Sequence, residues 1–165
     1  ESGRIRRGYF VAGRGGSQFA APGADDLLRR PDEPTDEPLL LSAVDPANPH
    51  GTLLPWPDPT NPESRPQRVD GALVFFAWTP RTESSPVRGG LIGYLNKNAD
   101  HAITFRDTPL DLFAQSLAAL GSEQRAIFLT RVDGRPVAES PLAAHLEAQG
   151  FVATSQGHLK RRALS

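Results

Sequence analysis

Cysteine and methionine are both absent, and lysine occurs only at positions 97 and 160. Without cysteine there is no disulfide, no thiolate metal ligand and no cysteine nucleophile. No run of about 18 apolar residues occurs, so no transmembrane helix is expected. The opening ESGRIRRGYF lacks the apolar centre of a secretion signal. With Glu1 in first place and no methionine, the chain reads as a segment of a longer protein. GxxxxGK[ST] is missing, which excludes nucleotide hydrolysis in its usual form. HExxH and G-x-S-x-G are missing too. His50, His101, His145 and His158 stand singly, so the spacing points to no metal centre.

The 165 residues fit one domain, or one domain with a fragment of a neighbour. Hydrophobic residues make up 38%, while 15 glycines and 16 prolines promise many turns. Net charge is −1 but unevenly spread. Arg4, Arg6, Arg7 and Arg14 make the start basic, and Lys160, Arg161 and Arg162 the end. Between Asp32 and Asp70, eight acids face Arg65 and Arg68. Basic ends around an acidic middle imply a local phosphate-facing patch.

The pattern predicts a strand over 4–11, a GRGG turn at 13–16, a short strand Gln18-Phe19-Ala20 and a helix from Pro22 to Arg30. PDEPTDEP at 31–38 reads as a linker. Leu39 to Val44 is either a buried strand or a helix end. Residues 45–66 are too rich in proline for regular structure, with Leu53, Leu54 and Trp56 expected to tack them onto the core. Residues 69–79, VDGALVFFAWT, are apolar on both faces and give the strongest strand signal. A hairpin loop at 81–90 leads to a return strand Leu91–Leu95, a tight turn at 96–100 and a third strand Ala102–Phe105. Thr108 and Pro109 open a helix with Leu110, Phe113, Leu117 and Leu120 on one face, stopped by Gly121. A fourth strand runs from Arg125 to Val132, with a turn at Asp133-Gly134. Ser140 and Pro141 open a last helix ended by Gly150, and 151–153 and 158–160 close a small hairpin. This order implies an α+β fold: a mainly antiparallel, partial barrel-like sheet with two or three short helices.

Functional candidates follow from charge and aromatic placement. Arg4 and Arg6 share one face of the first strand, Arg7 takes the other, and Arg14 sits in the turn after it. Guanidinium groups fork onto phosphate oxygens; the competing reading is a strand edge defended by charge. Trp56, in the proline loop, is a candidate for base stacking. Trp78 suits a core or sheet-edge place. Gln18, Lys160, Arg161 and Arg162 complete the candidate nucleic-acid contacts, with no catalytic and no metal residue assigned. Paired acids at 25–26, 32–33 and 36–37 read as helix-end complements or solvated charge.

GRIRRGYFVAGRGGSQFAAPGADDLLRR, residues 3–30, resembles the end of a winged-helix module in Lhr, the large helicase-related family. The carrying motifs are Arg7-Gly8-Tyr9-Phe10, the GRGGSQFA of 13–20, and Pro22-Gly23-Ala24. DPANPHGTLLPWP at 45–57 continues the likeness, with His50 where the family has tyrosine. Gly71-Ala72, Gly89-Gly90, Thr104-Phe105, Val132-Asp133-Gly134, Ser140-Pro141-Leu142, Leu146 and Gly150-Phe151 extend it across nearly all of 3–153.

The resemblance implies an accessory, DNA-binding or structural part of a superfamily 2 ATP-dependent DNA helicase working in repair. ATP and magnesium would sit in motor domains elsewhere in the protein, with no cofactor in this segment. Implied partners are single-stranded or partial-duplex DNA, the rest of the same helicase chain and a further copy, in the bacterial cytoplasm near the nucleoid. It implies a division into the end of a winged-helix module (1–30), an acidic proline-rich linker (31–66) and an α+β domain (67–165). The family's C-terminal extension also resembles winged-helix DNA glycosylases of the AlkZ kind. That gives a second class of function, with Asp45 and Glu139 as available acids, although the tail from Ala148 to Ser165 has none. The third class is a docking or oligomerisation module, motivated by Phe75, Phe76 and Trp78 on the central strand.

Overall fold

The computed structural model describes residues 5–9, 15–24, 38–77, 90–123 and 126–161. The chain divides into two compact units, Glu1–Pro34 and Thr35–Ser165.

In the first unit, β1 (Arg6–Gly8) pairs antiparallel with β2 (Gln18–Ala20), placing Arg7 opposite Phe19. Both expected strands are present, the first shorter than its apolar-aromatic pattern suggested. Arg4, Arg14 and the expected helix beyond Ala24 lie outside the described residues.

The described residues of the second unit form two sheets. The larger has the order β3-β4-β5-β6-β8-β9. It is built from β3 (Leu39–Ser42), β4 (Leu73–Ala77), β5 (Gly90–Leu95), β6 (His101–Ile103), β8 (Arg131–Val132) and β9 (Arg135–Pro136). All its pairings are antiparallel except β6 with β8. The smaller has the order β10-β11-β7, from β7 (Ile127–Leu129), β10 (Val152–Thr154) and β11 (Gly157–Lys160). The fold is thus α+β and mostly antiparallel, but the expected partial barrel is replaced by two open sheets, with β3 and β9 as the edges of the larger.

The reason is at Thr130. The single strand expected from Arg125 to Val132 is two strands in different sheets. Asp100 O accepts hydrogen bonds from Thr130 N (2.9 Å), Arg131 N (3.1 Å) and Thr130 Oγ1 (3.1 Å). That carbonyl draws the chain out of the β7 ladder and starts it alongside β6.

Two helices stand among the described residues. In α1 (Leu110–Glu123), Phe113, Leu117 and Leu120 are buried and Leu110 packs against the same core, as its spacing predicts. Thr108, expected to cap α1, turns its hydroxyl backwards to accept the Phe105 N–H at 2.7 Å. Gly121 does not stop the helix. A Cβ there would lie 2.7 Å from Lys160 Cγ, so this glycine serves the close approach of β11. In α2 (Leu142–Ala148), Leu142 and Leu146 enter the core, Ser140 Oγ accepts the Leu142 N–H, and Gly150 closes the end with a φ of 79°.

Neighbouring strand residues face opposite sides of a sheet, and β4 buries both. Phe75 joins the helix-side core with Ile92, Leu95, Phe113, Leu117 and Leu146. Val74 joins a second cluster with Ala43, Leu91, Tyr94, Ile103 and Phe105. Trp56 and Phe76 pack against that cluster. The second face is therefore covered by the proline-rich segment. Phe75 and Phe76 find partners within the chain, and Trp78 lies outside the described residues.

Candidate functional site

The proline-rich segment has no regular strand beyond β3, yet it is firmly held. Arg68 donates to four carbonyls: Asn48 O at 2.9 Å, Asp45 O at 3.0 Å, and His50 O and Val44 O at 3.2 Å. Asn48 is buried, donates to Ala43 O at 2.8 Å and accepts the His50 N–H at 3.1 Å. Asp45 Oδ1 accepts the Ala47 N–H at 2.7 Å, an Asx turn. The DPANPHG stretch is thus a loop coiled around one guanidinium. Leu53 and Leu54, expected to anchor it, are 72% and 44% exposed. Anchoring falls to Trp56, whose ring stacks on His50 and meets Tyr94 edge-on, each with centroids 6.0 Å apart.

Further along, the segment runs beside β6. Thr60 N donates to Thr104 O at 2.9 Å, and Arg106 N to Asp58 O at 3.0 Å. Asn61 Nδ2 donates to Asp133 O at 2.8 Å, tying residues 58–61 to the β8–β9 turn. Asp133 and Gly134 take φ of 53° and 81°, the left-handed pair of a tight hairpin turn. The Asp133 carboxylate is fixed, with Oδ1 accepting the Thr104 N–H at 2.8 Å and Oδ2 the Thr104 hydroxyl at 2.7 Å. With its proton so used, Thr104 Oγ1 receives the Thr60 hydroxyl at 2.7 Å.

These ties frame a cleft of about 850 Å³ between residues 61–67, the β5–β6 turn and the β8–β9 turn. Tyr94, Asn96, His101 and Ile103 line one wall, Arg65 and Gln67 another, and Gly134 and Arg135 the rim. Burial pushes the Tyr94 phenol above its ordinary value, opposed by a backbone hydrogen bond with Gln67. Asn96 Oδ1 accepts the N–H groups of Asp100 and His101, both at 3.1 Å, while its Nδ2 donates to Asp100 Oδ1 at 2.7 Å. His101 Nε2 accepts the Gly134 N–H at 3.0 Å. Burial lowers the His101 pKa below its ordinary value, against the opposing pull of Asp133 and Asp100 and with a smaller push from Arg131. The ring is therefore neutral near pH 7, and with Nε2 accepting, its proton resides on Nδ1. A smaller cleft of about 270 Å³ beside it is lined by Thr60, Asn61, Asp133, Arg135, Glu139 and Ser140.

Of the contacts named from sequence, Arg6, Arg7 and Gln18 belong to the first unit and Trp56, Lys160 and Arg161 to the second. Arg6 and Arg7 are exposed on β1, and Arg7 Nε donates to Ser17 Oγ at 2.8 Å. Gln18 begins β2 opposite Gly8. Trp56 is half-buried, between His50 and Tyr94. Lys160 is half-buried, and its ammonium caps α2 by donating to Gln149 O at 2.7 Å. Arg161 is exposed, and Arg4, Arg14 and Arg162 lie outside the described residues. Asp45 is engaged in the Arg68 loop, whereas exposed Glu139 borders the smaller cleft.

Sequence reasoning missed Arg65, Asn96, His101 and Arg135 as one group, and missed Arg68 and Asp133 as its supports. The available signals were the NKNADH turn and the Asp133-Gly134 turn. Their meeting depends on the parallel β6–β8 pairing, which sets His101 beside Arg131.

Residues 1–39 match the family described as "Large helicase-related protein, winged-helix domain". The chain is 36% identical over 168 residues to the "Lhr helicase/uracil glycosylase" of Escherichia coli (strain K12), an alignment covering 95% of this chain and 10% of that protein. It is 38% identical over 112 residues to the "Lhr helicase/ probable uracil glycosylase" of Mycolicibacterium smegmatis (strain ATCC 700084 / mc(2)155), covering 64% of this chain and 7% of that protein. The chain therefore spans a tenth or less of the length of these relatives.

Proposed function

Since the chain belongs to the family of Lhr, the large helicase-related proteins, we propose that it is a C-terminal accessory segment of an ATP-dependent DNA helicase and contacts the phosphate backbone of DNA. The observation that carries this reading is the β1–β2 hairpin, within the stretch matching a winged-helix domain and with Arg6 and Arg7 both exposed. A short antiparallel hairpin presents side chains on both faces, and arginine forks onto phosphate oxygens without reading bases. ATP and magnesium belong, in this reading, to motor domains outside the segment. The division into a winged-helix end (1–30), a linker (31–66) and an α+β domain (67–165) is part of the same proposal. Residues 39–66 are then a covering layer of the third part, since β3 pairs with β4.

The test is a titration of the 165-residue chain with single-stranded and partial-duplex DNA at two salt concentrations, beside an R6A/R7A variant. On a single strand each phosphate contact contributes about −0.7 to the slope of log affinity against log salt, so losing both arginines shifts the slope by roughly 1.4. Equal affinities and slopes for the two proteins would remove the hairpin from the phosphate track.

A second reading has its support in the names of the relatives, which carry uracil glycosylase, in the second case as probable, beside helicase. This segment would then supply part of a base-excision site, with Glu139 in the smaller cleft as the acid open to solvent. Uracil-containing DNA left intact by the chain, after treatment that cleaves abasic sites, would withdraw it for this segment.

A further inference from the structure

The cleft of about 850 Å³ is lined by groups whose binding capacity is in part unused. Arg65 and Arg135 are exposed on its lining, and their guanidinium groups make no hydrogen bond or ion pair with the described residues. Two neighbouring acids are held in place, Asp133 by Thr104 and Asp100 by Asn96, and keep their negative charge. Among the lining residues the one carboxylate is Glu63, beside the two arginines. His101 adds a donor of fixed direction. Its Nε2 is occupied by the Gly134 N–H, its proton is on Nδ1, and Nδ1 has no partner among the described residues. Unlike His158 Nδ1, it is not among the buried orphan atoms, so solvent reaches it.

The cleft therefore offers cationic and neutral donors, with apolar surface from Pro62, Tyr94 and Ile103. Two arginines and a neutral imidazole N–H match the acceptor oxygens of a phosphate. The volume is too great for phosphate alone and falls in the range of roughly 300–1,000 Å³ typical of small-molecule sites. We propose that this cleft binds one nucleotide unit, with Arg65 and Arg135 on its phosphate oxygens, the His101 Nδ1–H on a further acceptor, and the sugar against the Pro62–Ile103 floor. The site is built from residues of the second unit alone and does not depend on the hairpin's role. A free nucleotide and a nucleotide within a strand share this chemistry.

The experiment is a calorimetric titration of the 165-residue chain with dTMP, inorganic phosphate and a dT10 oligonucleotide, using R65A, R135A and R6A/R7A variants. The expected result is saturable dTMP binding, at least tenfold weaker in R65A and in R135A and unchanged in R6A/R7A. Inorganic phosphate should bind at least tenfold more weakly than dTMP. Competition by dT10 for dTMP would identify the source as a strand, and dTMP binding without such competition a free nucleotide. The His101 Nδ1 resonance in ¹⁵N spectra should move on dTMP addition. The proposal is overturned if dTMP does not bind, if it binds no more tightly than inorganic phosphate, or if R65A and R135A bind as the parent does. Because neither guanidinium has a partner among the described residues, both variants should keep the parent Tm, and a loss of binding reports on the cleft. Loss of DNA binding in R6A/R7A with dTMP binding intact would separate the hairpin's role from that of the cleft.

Discussion

The two layers that cover the large sheet are ordered by different forces. On one side α1 presses apolar side chains onto β4 and β5 while α2 packs against α1 and β11, and Phe113 meets Phe75 edge-on with centroids 5.3 Å apart. On the other, the proline-rich segment contributes few large apolar groups and is organised by Arg68, Asn48 and Asp133, each binding backbone. A helix layer follows from periodic burial. A layer without repeating structure must satisfy its carbonyls one at a time. The candidate cleft lies at the edge of the second kind of layer, where polar groups already face solvent.

Substitutions that separate the two layers sharpen this contrast. The largest loss is expected for Phe113→Ala, about 3–5 kcal/mol by urea unfolding, because a fully buried ring is removed. Gly93→Ala tests the same contact from the opposite side, since its Cβ would lie 2.2 Å from the Phe113 ring; overpacking of this kind costs about 1–3 kcal/mol. Arg68→Ala should cost roughly 2–4 kcal/mol, since it strands carbonyls that now receive charged hydrogen bonds. If Arg68→Ala matches the parent, the second layer is held by Trp56 and Phe76 packing instead, and the contrast fails. Asp133→Ala should cost about 2 kcal/mol, from two lost hydrogen bonds and a left-handed φ that alanine disfavours.

The smallest effect is a pH dependence. Burial holds His101 below its ordinary value of 6.5 in the folded chain. As pH falls, the unfolded chain takes the proton first, so the contribution is complete above 6.5 and declines through 6.5 towards the lower folded value. Melting temperatures between pH 7.5 and 5 should fall less in His101→Gln than in the parent. Parallel curves for the two proteins would mean that His101 titrates alike folded and unfolded.

The sequence alone determined the elements whose signals are local. The 3–4 spacing of Leu110, Phe113, Leu117 and Leu120 specified a helix and its buried face. The apolar pattern of 69–79 specified a strand covered on both sides, present as β4 over Leu73–Ala77. Asp133-Gly134, Gly150 and the Gln156-Gly157 hairpin were legible because turns depend on the backbone preferences of a few adjacent residues. The family likeness was legible for the same reason, since DPANPHGTLLPWP and GRGGSQFA are contiguous motifs. What tertiary structure decided was everything resting on distant partners. Asp100 O splits 127–132 between two sheets from about 30 residues away. Gly121 and Lys160, read as a helix stop and a DNA contact, turn out to adjoin each other, with the lysine capping α2. Arg65, His101 and Arg135 share a cleft because β6 pairs in parallel with β8 and Asn61 ties the proline-rich segment to the turn beyond. Periodicity records which face of an element is buried, but a parallel pairing between separated strands leaves no periodic trace. Such a site exists only once the chain has closed those long loops.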